Sequence, residues 1–139
     1  MIGIVIATHA NMAQGLVDAA EMILGPLPAV ETLSIGQEDG PDDICKRFSN
    51  ALARLDLDGE GILILTDMFG GTPTNIGSSF MSSARVEVLA GVSLPMLLKA
   101  CNGRSGGLSL EALAAEVKEY ALKSIVLVSQ LLKEQESSR

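Results

Sequence analysis

The stretch Ile62–Asn75 reads Ile-Leu-Ile-Leu-Thr-Asp-Met-Phe-Gly-Gly-Thr-Pro-Thr-Asn, and the predicted fold is built outward from it. Its aliphatic first half is too short for a helix and follows Gly59 and Gly61, which is typical of a buried parallel strand. The strand is predicted to end at Asp67, because the interior of such a strand does not accommodate an unpaired charge. The first half of the stretch therefore predicts a buried strand with a carboxylate at its carboxyl end.

The second half of the stretch changes character. Gly70 and Gly71 allow the backbone to turn sharply and to come close to a ligand. Thr72 and Pro73 are typical of a helix start, with the threonine hydroxyl as N-cap and the proline at the first helical position. The free N–H groups of such a helix start, together with the positive end of the helix dipole, predict a binding site for an anion.

The rest of the chain alternates between strand and helix patterns. Further strands are predicted at Ile2–Thr8, Val30–Ile35 and Val86–Ala90. Helices are predicted from Met12 to a stop at Gly25, Pro41–Leu55, Pro73–Ser83, Leu94–Gly103 and Leu110–Leu122. In the first helix, the buried face is predicted to consist of Met12, Leu16, Ala19, Ala20 and Ile23.

The C-terminal segment allows two structural interpretations. Ser124–Leu131 contains a consecutive Ile-Val-Leu-Val run, which favours a strand, although a continuing helix could also bury one face of the segment. We favour the strand. Residues 1–132 are predicted to form a single domain, and residues 133–139 a frayed tail.

Alternating strands and helices predict an α/β fold with an open parallel four-stranded sheet, in the order 2-1-3-4, and helices on both faces. Ligands of such sheets bind beyond the carboxyl ends of the strands where the strand order reverses, which here lies between strands one and three. His9 follows strand one, and Asp67 follows strand three. Because neighbouring strands lie about 4.8 Å apart, the only histidine of the chain is predicted to meet this carboxylate.

Composition and charge exclude several classes of protein. The chain has 139 residues, of which 47% are hydrophobic, and this is enough for one domain with a real core. Its net charge of −7 argues against a nucleic-acid-binding protein, which needs clustered Lys and Arg. The first residues have no basic region of a signal peptide, and no apolar run has the length of a membrane span. The two cysteines are not in a Cys-x-x-Cys motif, which favours the reducing cytoplasm.

A histidine beside a carboxylate suggests a phosphoryl acceptor. The carboxylate fixes one imidazole nitrogen in its protonated form and leaves the other nitrogen nucleophilic. Asp67 would also stabilise the positive charge of the phosphorylated ring, while backbone N–H groups near Gly71 would bind the phosphoryl oxygens. No Lys or Arg occurs from Gly59 to Ser83, so no cation of this segment would neutralise the negative charge of the phosphoryl group. We therefore predict a carrier without a metal or cofactor, and not a hydrolase or kinase.

The same residues also allow less specific interpretations. A single histidine between a strand and a helix is more often a structural hydrogen-bonding residue, and Asp67 could be the metal ligand of a nucleotide hydrolase. However, the Gly-x-x-x-x-Gly-Lys motif of such hydrolases and the Gly-x-Gly-x-x-Gly motif of dinucleotide-binding proteins are both absent. Gly70 and Gly71 could also form a simple tight turn. The combination of His9, Asp67 and the glycine loop favours the carrier.

The same residues carry a resemblance to a known family. Thr8-His9, Asp67–Asn75 and Ala90–Leu97 resemble, in order and spacing, three signature stretches of the IIA domain of the mannose-family sugar phosphotransferase system. The resemblance implies that His9 is phosphorylated, that Asp67 orients it, and that Thr72 bonds to the phosphoryl group.

The resemblance also implies partners. The phosphoryl group would come from the histidine phosphocarrier protein and pass to a IIB component, which would be a separate protein because no linker or IIB sequence follows. The family fold has a fifth strand that is swapped between the subunits of a dimer, and Ser124–Leu131 would be that strand.

Three functions remain open at this point. The first is a phosphohistidine carrier that supplies a sugar permease. The second is the related phosphocarrier subunit of dihydroxyacetone kinase, which the Gly-Gly-Thr-Pro motif of this chain disfavours. The third is a regulatory module whose phosphorylation state controls a partner without sugar uptake.

Overall fold

The computed structural model describes residues 1–138 and has the predicted α/β architecture, an open parallel sheet in the order 2-1-3-4. The strands are β1 (Gly3–His9), β2 (Val30–Ile35), β3 (Ile62–Thr66) and β4 (Val86–Ala90). The helices are α1 (Met12–Leu24), α2 (Pro41–Leu55), α3 (Thr72–Ser79), α4 (Leu94–Gly103), α5 (Leu110–Lys123) and α6 (Val128–Ser137). Short 3-10 turns follow α3 at Phe80–Ser82 and α4 at Arg104–Gly106.

The core lies in two layers, one on each face of the sheet. Alternate residues of β1 and β3 point to opposite faces, so Ile4 and Leu63 pack with α1, α4 and α5, whereas Val5 and Ile64 pack with α2. The central strands are buried on both faces, which explains their continuous aliphatic sequences. A sheet covered in this way exposes its functional groups at the strand ends.

The predicted buried face of α1 is partly wrong. Met12 and Ile23 are exposed, and the residues that pack into the core are Ala13, Val17 and Ala20. The buried Thr8 hydroxyl accepts a hydrogen bond from the Ala13 N–H at 2.9 Å, which turns this side of the helix toward the sheet. Small side chains at the contact let the helix lie close to the strands.

The C-terminal segment also differs from the favoured interpretation. Within residues 1–138, no strand follows β4: α5 ends at Lys123, residues 125–127 are exposed, and α6 begins at Val128. No neighbouring strand offers hydrogen bonds to residues 125–127, whereas the Leu127 carbonyl accepts local bonds from the N–H groups of Gln130 and Leu131. Helix α6 continues to Ser137 through the segment that was expected to fray, and Arg139 lies outside the described residues. The swapped fifth strand stays a prediction.

Candidate functional site

His9 is held at the carboxyl edge of the sheet by its own strand. It is the last residue of β1, one residue further into the strand than the sequence suggested. The next residue, Ala10, has a left-handed backbone with φ of +51° and donates its N–H to the Ile35 carbonyl at 2.9 Å. This tight turn leads directly into α1. The His9 side chain is 51% exposed and is therefore accessible from solvent.

Asp67 lies next to His9, as the sequence predicted. Its Oδ2 atom accepts the backbone N–H of His9 at 2.9 Å and lies 2.7 Å from the Nδ1 atom of the same residue. Its Oδ1 atom accepts the N–H of Met68 at 3.0 Å. A carboxylate can only accept, so the proton of the neutral ring lies on Nδ1 and the lone pair on Nε2. The pair thus fixes both the orientation and the tautomer of the imidazole.

The charge of Asp67 is stabilised by these same groups. Burial alone would raise the pKa of Asp67, since its side chain is only 12% exposed. The hydrogen bonds from the His9 N–H and the imidazole, the attraction of the ring when it is protonated, and the Met68 N–H outweigh burial and lower the pKa of Asp67 below its ordinary value. Asp67 is therefore ionised at neutral pH.

The glycine loop lies against the imidazole. Gly70 has φ of +87°, a conformation that side chains rarely adopt, and it turns the chain toward the ring. Gly71 lies so close that a Cβ atom built on it would be 3.0 Å from Cε1 and 3.7 Å from Nε2 of His9. The structure thus brings His9, Asp67 and Gly71 into direct proximity, while Gly70 and Thr72 flank the contact in sequence.

The predicted role of Thr72 as a helix cap is wrong. Gly71 occupies the N-cap position with an extended backbone, and α3 begins at Thr72, so the Thr72 hydroxyl caps nothing and its side chain is exposed. Pro73 follows and contributes no N–H group. The first N–H groups of an α-helix have no partner within the helix. The start of α3 therefore presents unpaired N–H donors directly after Gly71, which lies against His9, and Thr72 adds an exposed hydroxyl at the first helical residue.

Two threonines of this region were not found from the sequence. The Thr66 and Thr74 hydroxyl oxygens lie 2.6 Å apart, and Thr74 donates to the Met68 carbonyl at 2.6 Å. Both side chains are buried. The only signal in the sequence is that each polar residue lies at a predicted element boundary, which does not show that the two residues meet.

The charges around the site are almost all negative or neutral. The loops at the carboxyl ends of β1 and β3 contain no Lys or Arg. Arg47 reaches this edge of the sheet, but its guanidinium donates to the Ser34 carbonyl at 2.7 Å and to Asp39 at 3.3 Å. Among residues 1–138, no cluster of three or more His, Cys, Asp or Glu side chains could hold a metal ion. In that same part of the chain, no helix has the length and apolar character needed to cross a membrane.

Comparisons with known proteins identify the family. Residues 3–118 match the family model described as the PTS system fructose IIA component. The mannose-specific EIIAB component of Escherichia coli is 33% identical over 128 residues, which cover 89% of this chain and 39% of that protein. The chain thus spans about two fifths of that relative. The fructose-specific EIIA component of Bacillus subtilis is 29% identical and is covered over 90% of its length, with 95% of this chain.

Solved structures agree with the sequence relatives. The crystal structure of phosphotransferase system component EIIA from Streptococcus agalactiae superposes with a TM-score of 0.86 at 28% identity, covering 94% of this chain and 99% of that one. A PTS IIA protein associated with the fucose utilization operon of Streptococcus pneumoniae gives a TM-score of 0.80 at 27% identity, with 94% and 95% covered. The match of the family model over most of the sequence, together with this agreement in fold, shows that the chain belongs to the mannose-type family of IIA components of the sugar phosphotransferase system.

Proposed function

We propose that this chain is a phosphohistidine carrier: His9 accepts a phosphoryl group from the histidine phosphocarrier protein and passes it to a IIB component for sugar uptake. The observation that carries the proposal is the 2.7 Å contact between Nδ1 of His9 and Oδ2 of Asp67. This contact occupies one ring nitrogen and leaves Nε2 as the nucleophile. We therefore assign the phosphoryl group to Nε2.

The transfer is a balanced exchange between two nitrogen atoms. The Nε2 lone pair of His9 forms a bond to phosphorus while the bond between phosphorus and the donor histidine breaks, and the donor nitrogen keeps that electron pair. His9 then carries both the phosphoryl group on Nε2 and the proton on Nδ1, so the ring is positively charged. Asp67 lies against this charge and stabilises the phosphorylated state. Transfer to the acceptor reverses the same steps.

The loop and the start of α3 supply donors to the phosphoryl oxygens. Gly71 lies beside Cε1 and Nε2 of His9, so a group on Nε2 projects toward the first N–H groups of α3. Gly70 provides the turn that allows this approach, and the exposed Thr72 hydroxyl is a further donor. Neutral donors of this kind bind the phosphoryl group without the charge of a cation, which suits a protein that must release it again.

Two exposed apolar side chains next to Asp67 favour a protein-binding surface at this site. Phe69 is 85% exposed and Met68 is 55% exposed. A large exposed aromatic side chain beside a reacting group is typical of a protein-binding surface. We assign this surface to the donor and acceptor proteins, which would bind it in turn.

We further propose that the chain works as a homodimer. The outer edge of β4 has no neighbouring strand among residues 1–138. Ile125, Leu127 and Val128 are each more than half exposed, which is unusual because consecutive aliphatic side chains are normally buried from water. Pairing of this run with β4 of a second copy would cover both surfaces.

We place the protein in the cytoplasm, which agrees with its two free cysteines, Cys45 and Cys101.

A phosphorylation assay tests the carrier function. The protein is incubated with phosphoenolpyruvate, the general enzyme of the phosphotransferase system and its histidine phosphocarrier protein. We expect one acid-labile, base-stable phosphoryl group, detected by intact mass and assigned to Nε2 by NMR. His9→Gln, which keeps the size of the side chain, should abolish labelling. Labelling of this variant, or of a residue other than His9, would disprove the proposal.

A further inference from the structure

The loop that holds Asp67 is fixed by a chain of hydroxyl groups. The Thr74 hydroxyl donates to the Met68 carbonyl at 2.6 Å, and the Thr66 hydroxyl lies 2.6 Å from the same Thr74 oxygen. A carbonyl only accepts and a hydroxyl has one proton, so the direction of both bonds is determined. Thr66 donates to Thr74, and Thr74 donates to Met68.

The two ends of this hydroxyl chain lie on either side of Asp67. Thr66 is the last residue of β3, and Met68 is the residue after Asp67. The N–H of Met68 donates to Oδ1 of Asp67. Met68 thus accepts a bond from Thr74 at its carbonyl and donates a bond to the Asp67 carboxylate at its amide. A single side chain, that of Thr74, therefore bonds to the hydroxyl of the residue before Asp67 and to the carbonyl of the residue after it.

The same side chain also fixes the other half of the site. Thr74 lies in the first turn of α3, close behind the N–H groups at the helix start. Its bond to Thr66 joins this turn to the end of β3, and its bond to Met68 joins it to the loop. Both hydroxyls are buried, so water does not replace these bonds easily. The distance between Asp67 and the start of α3 thus depends on Thr74.

We propose that Thr74 is a positioning residue for phosphoryl transfer, because its hydroxyl holds the Asp67 loop and the start of α3 in one geometry around His9. The inference rests on the proposed carrier function. Phosphoryl transfer between two bound proteins depends on orientation, and displacement of a positioning group by about 1 Å can cost as much as 100-fold in rate. Thr74 would act on the rate of transfer and not on binding of the donor.

The test compares Thr74→Val, which keeps the shape but removes the hydroxyl, with Thr74→Ser, which keeps the hydroxyl. Initial rates of phosphorylation are measured over a range of phosphocarrier concentrations, with circular dichroism to verify folding. We expect Thr74→Val to lower kcat by about tenfold with KM for the phosphocarrier unchanged, and Thr74→Ser to restore the wild-type kcat. A folded Thr74→Val protein with the wild-type kcat would overturn the inference.

Two further variants separate positioning from stability. Ser109→Ala removes the hydroxyl that accepts the Ala112 N–H at the start of α5, and it should leave kcat unchanged although it also weakens the fold. Thr66→Val removes only the first bond of the hydroxyl chain and should lower kcat by about threefold. If Thr74→Val does not fold, the kcat of Thr66→Val tests the inference instead, and a wild-type kcat in Thr66→Val would overturn it. If the wild-type protein is not phosphorylated at all, the proposed function itself fails, which is a different result.

Discussion

The backbone of Gly71 and the imidazole of His9 are in such close contact that a single added carbon would lie 3.0 Å from the ring. This distance is shorter than almost all contacts of real Cβ atoms. The position therefore needs glycine because of the neighbouring ring, since the φ of −88° at Gly71 is one that any residue adopts.

Gly71→Ala is expected to displace the His9 ring and to slow phosphoryl transfer by about tenfold, because Nε2 moves away from its aligned position. The free energy of unfolding should change by less than about 1 kcal/mol, since the ring is half exposed and can move. Transfer rates and urea unfolding measure the two effects. Gly70→Ala is the control: it has open space but a φ of +87°, so it should lose stability by about 1 kcal/mol or more. An unchanged rate in Gly71→Ala would contradict the prediction.

Asp67→Asn should leave the fold intact and slow transfer by about 100-fold, because a neutral amide stabilises the phosphorylated ring less than a carboxylate does. The amide can also present its NH₂ group to Nδ1, which would favour the wrong tautomer of His9. Rapid-quench measurement of a single phosphorylation event gives the rate. Asp39→Asn, which alters a carboxylate paired with Arg47, is the control and should transfer at the wild-type rate. A wild-type rate in Asp67→Asn would remove the carboxylate from the mechanism.

The low pKa of Asp67 predicts how stability depends on pH. The folded protein binds a proton at Asp67 less readily than the unfolded chain, whose aspartates have a pKa of about 3.9. The ionised carboxylate therefore stabilises the fold above that value, and this stabilisation is lost as the pH falls through the lower folded pKa. The difference in free energy of unfolding between wild type and Asp67→Asn should thus shrink as the pH falls below about 5. Urea unfolding at several pH values measures it, and a constant difference would contradict the prediction.

Arg104 is predicted to stabilise the opposite edge of the sheet. Its buried guanidinium donates to the carbonyls of Ile2 at 3.1 Å, Ala29 at 3.3 Å and Pro28. Burial lowers the pKa of Arg104 but leaves it charged. Arg104→Met should lower the free energy of unfolding by about 2 to 3 kcal/mol, because these carbonyls lose their donors. Lys46→Met, on an exposed position of α2, is the control and should have little effect. Equal stability of the two variants would disprove the role of Arg104.

The dimer proposal predicts the effect of a charge in the exposed C-terminal run. Leu127→Glu should convert a dimer into a monomer in sedimentation experiments, because the carboxylate would be buried without a partner at the new interface. Met22→Glu changes an equally apolar side chain, which is 90% exposed on α1, and should remain dimeric. Dimers of Leu127→Glu would place the interface elsewhere, and a monomeric wild-type protein would refute the dimer.

The sequence was most informative where a local pattern determines the structure. The bounds of β2, α2 and β4 agree with those predicted, because glycine, proline and acidic residues separate short aliphatic runs in these segments. The meeting of His9 and Asp67 was also predictable, since the strand order alone brings the ends of β1 and β3 together.

The errors arose where tertiary contacts outweigh local patterns. Hydrophobicity favoured Met12 and Ile23 as core residues, but close packing of α1 on the sheet selects the small Ala13 instead. The β-branched run after Ser124 favoured a strand, but residues 125–127 pair with no strand among residues 1–138. The Thr66–Thr74 contact was missed because eight intervening residues must fold before the two hydroxyls meet.

The pairing of β1 with β3 joins His9 to a residue 58 positions later in the chain. While the protein is being synthesised, its imidazole leaves the ribosome long before Asp67 does. On the proposed function, a nascent or truncated chain would display the histidine without the carboxylate that activates it. Competence to receive a phosphoryl group would then report that β1 and β3 have paired, and chains without this pairing would not compete for the donor.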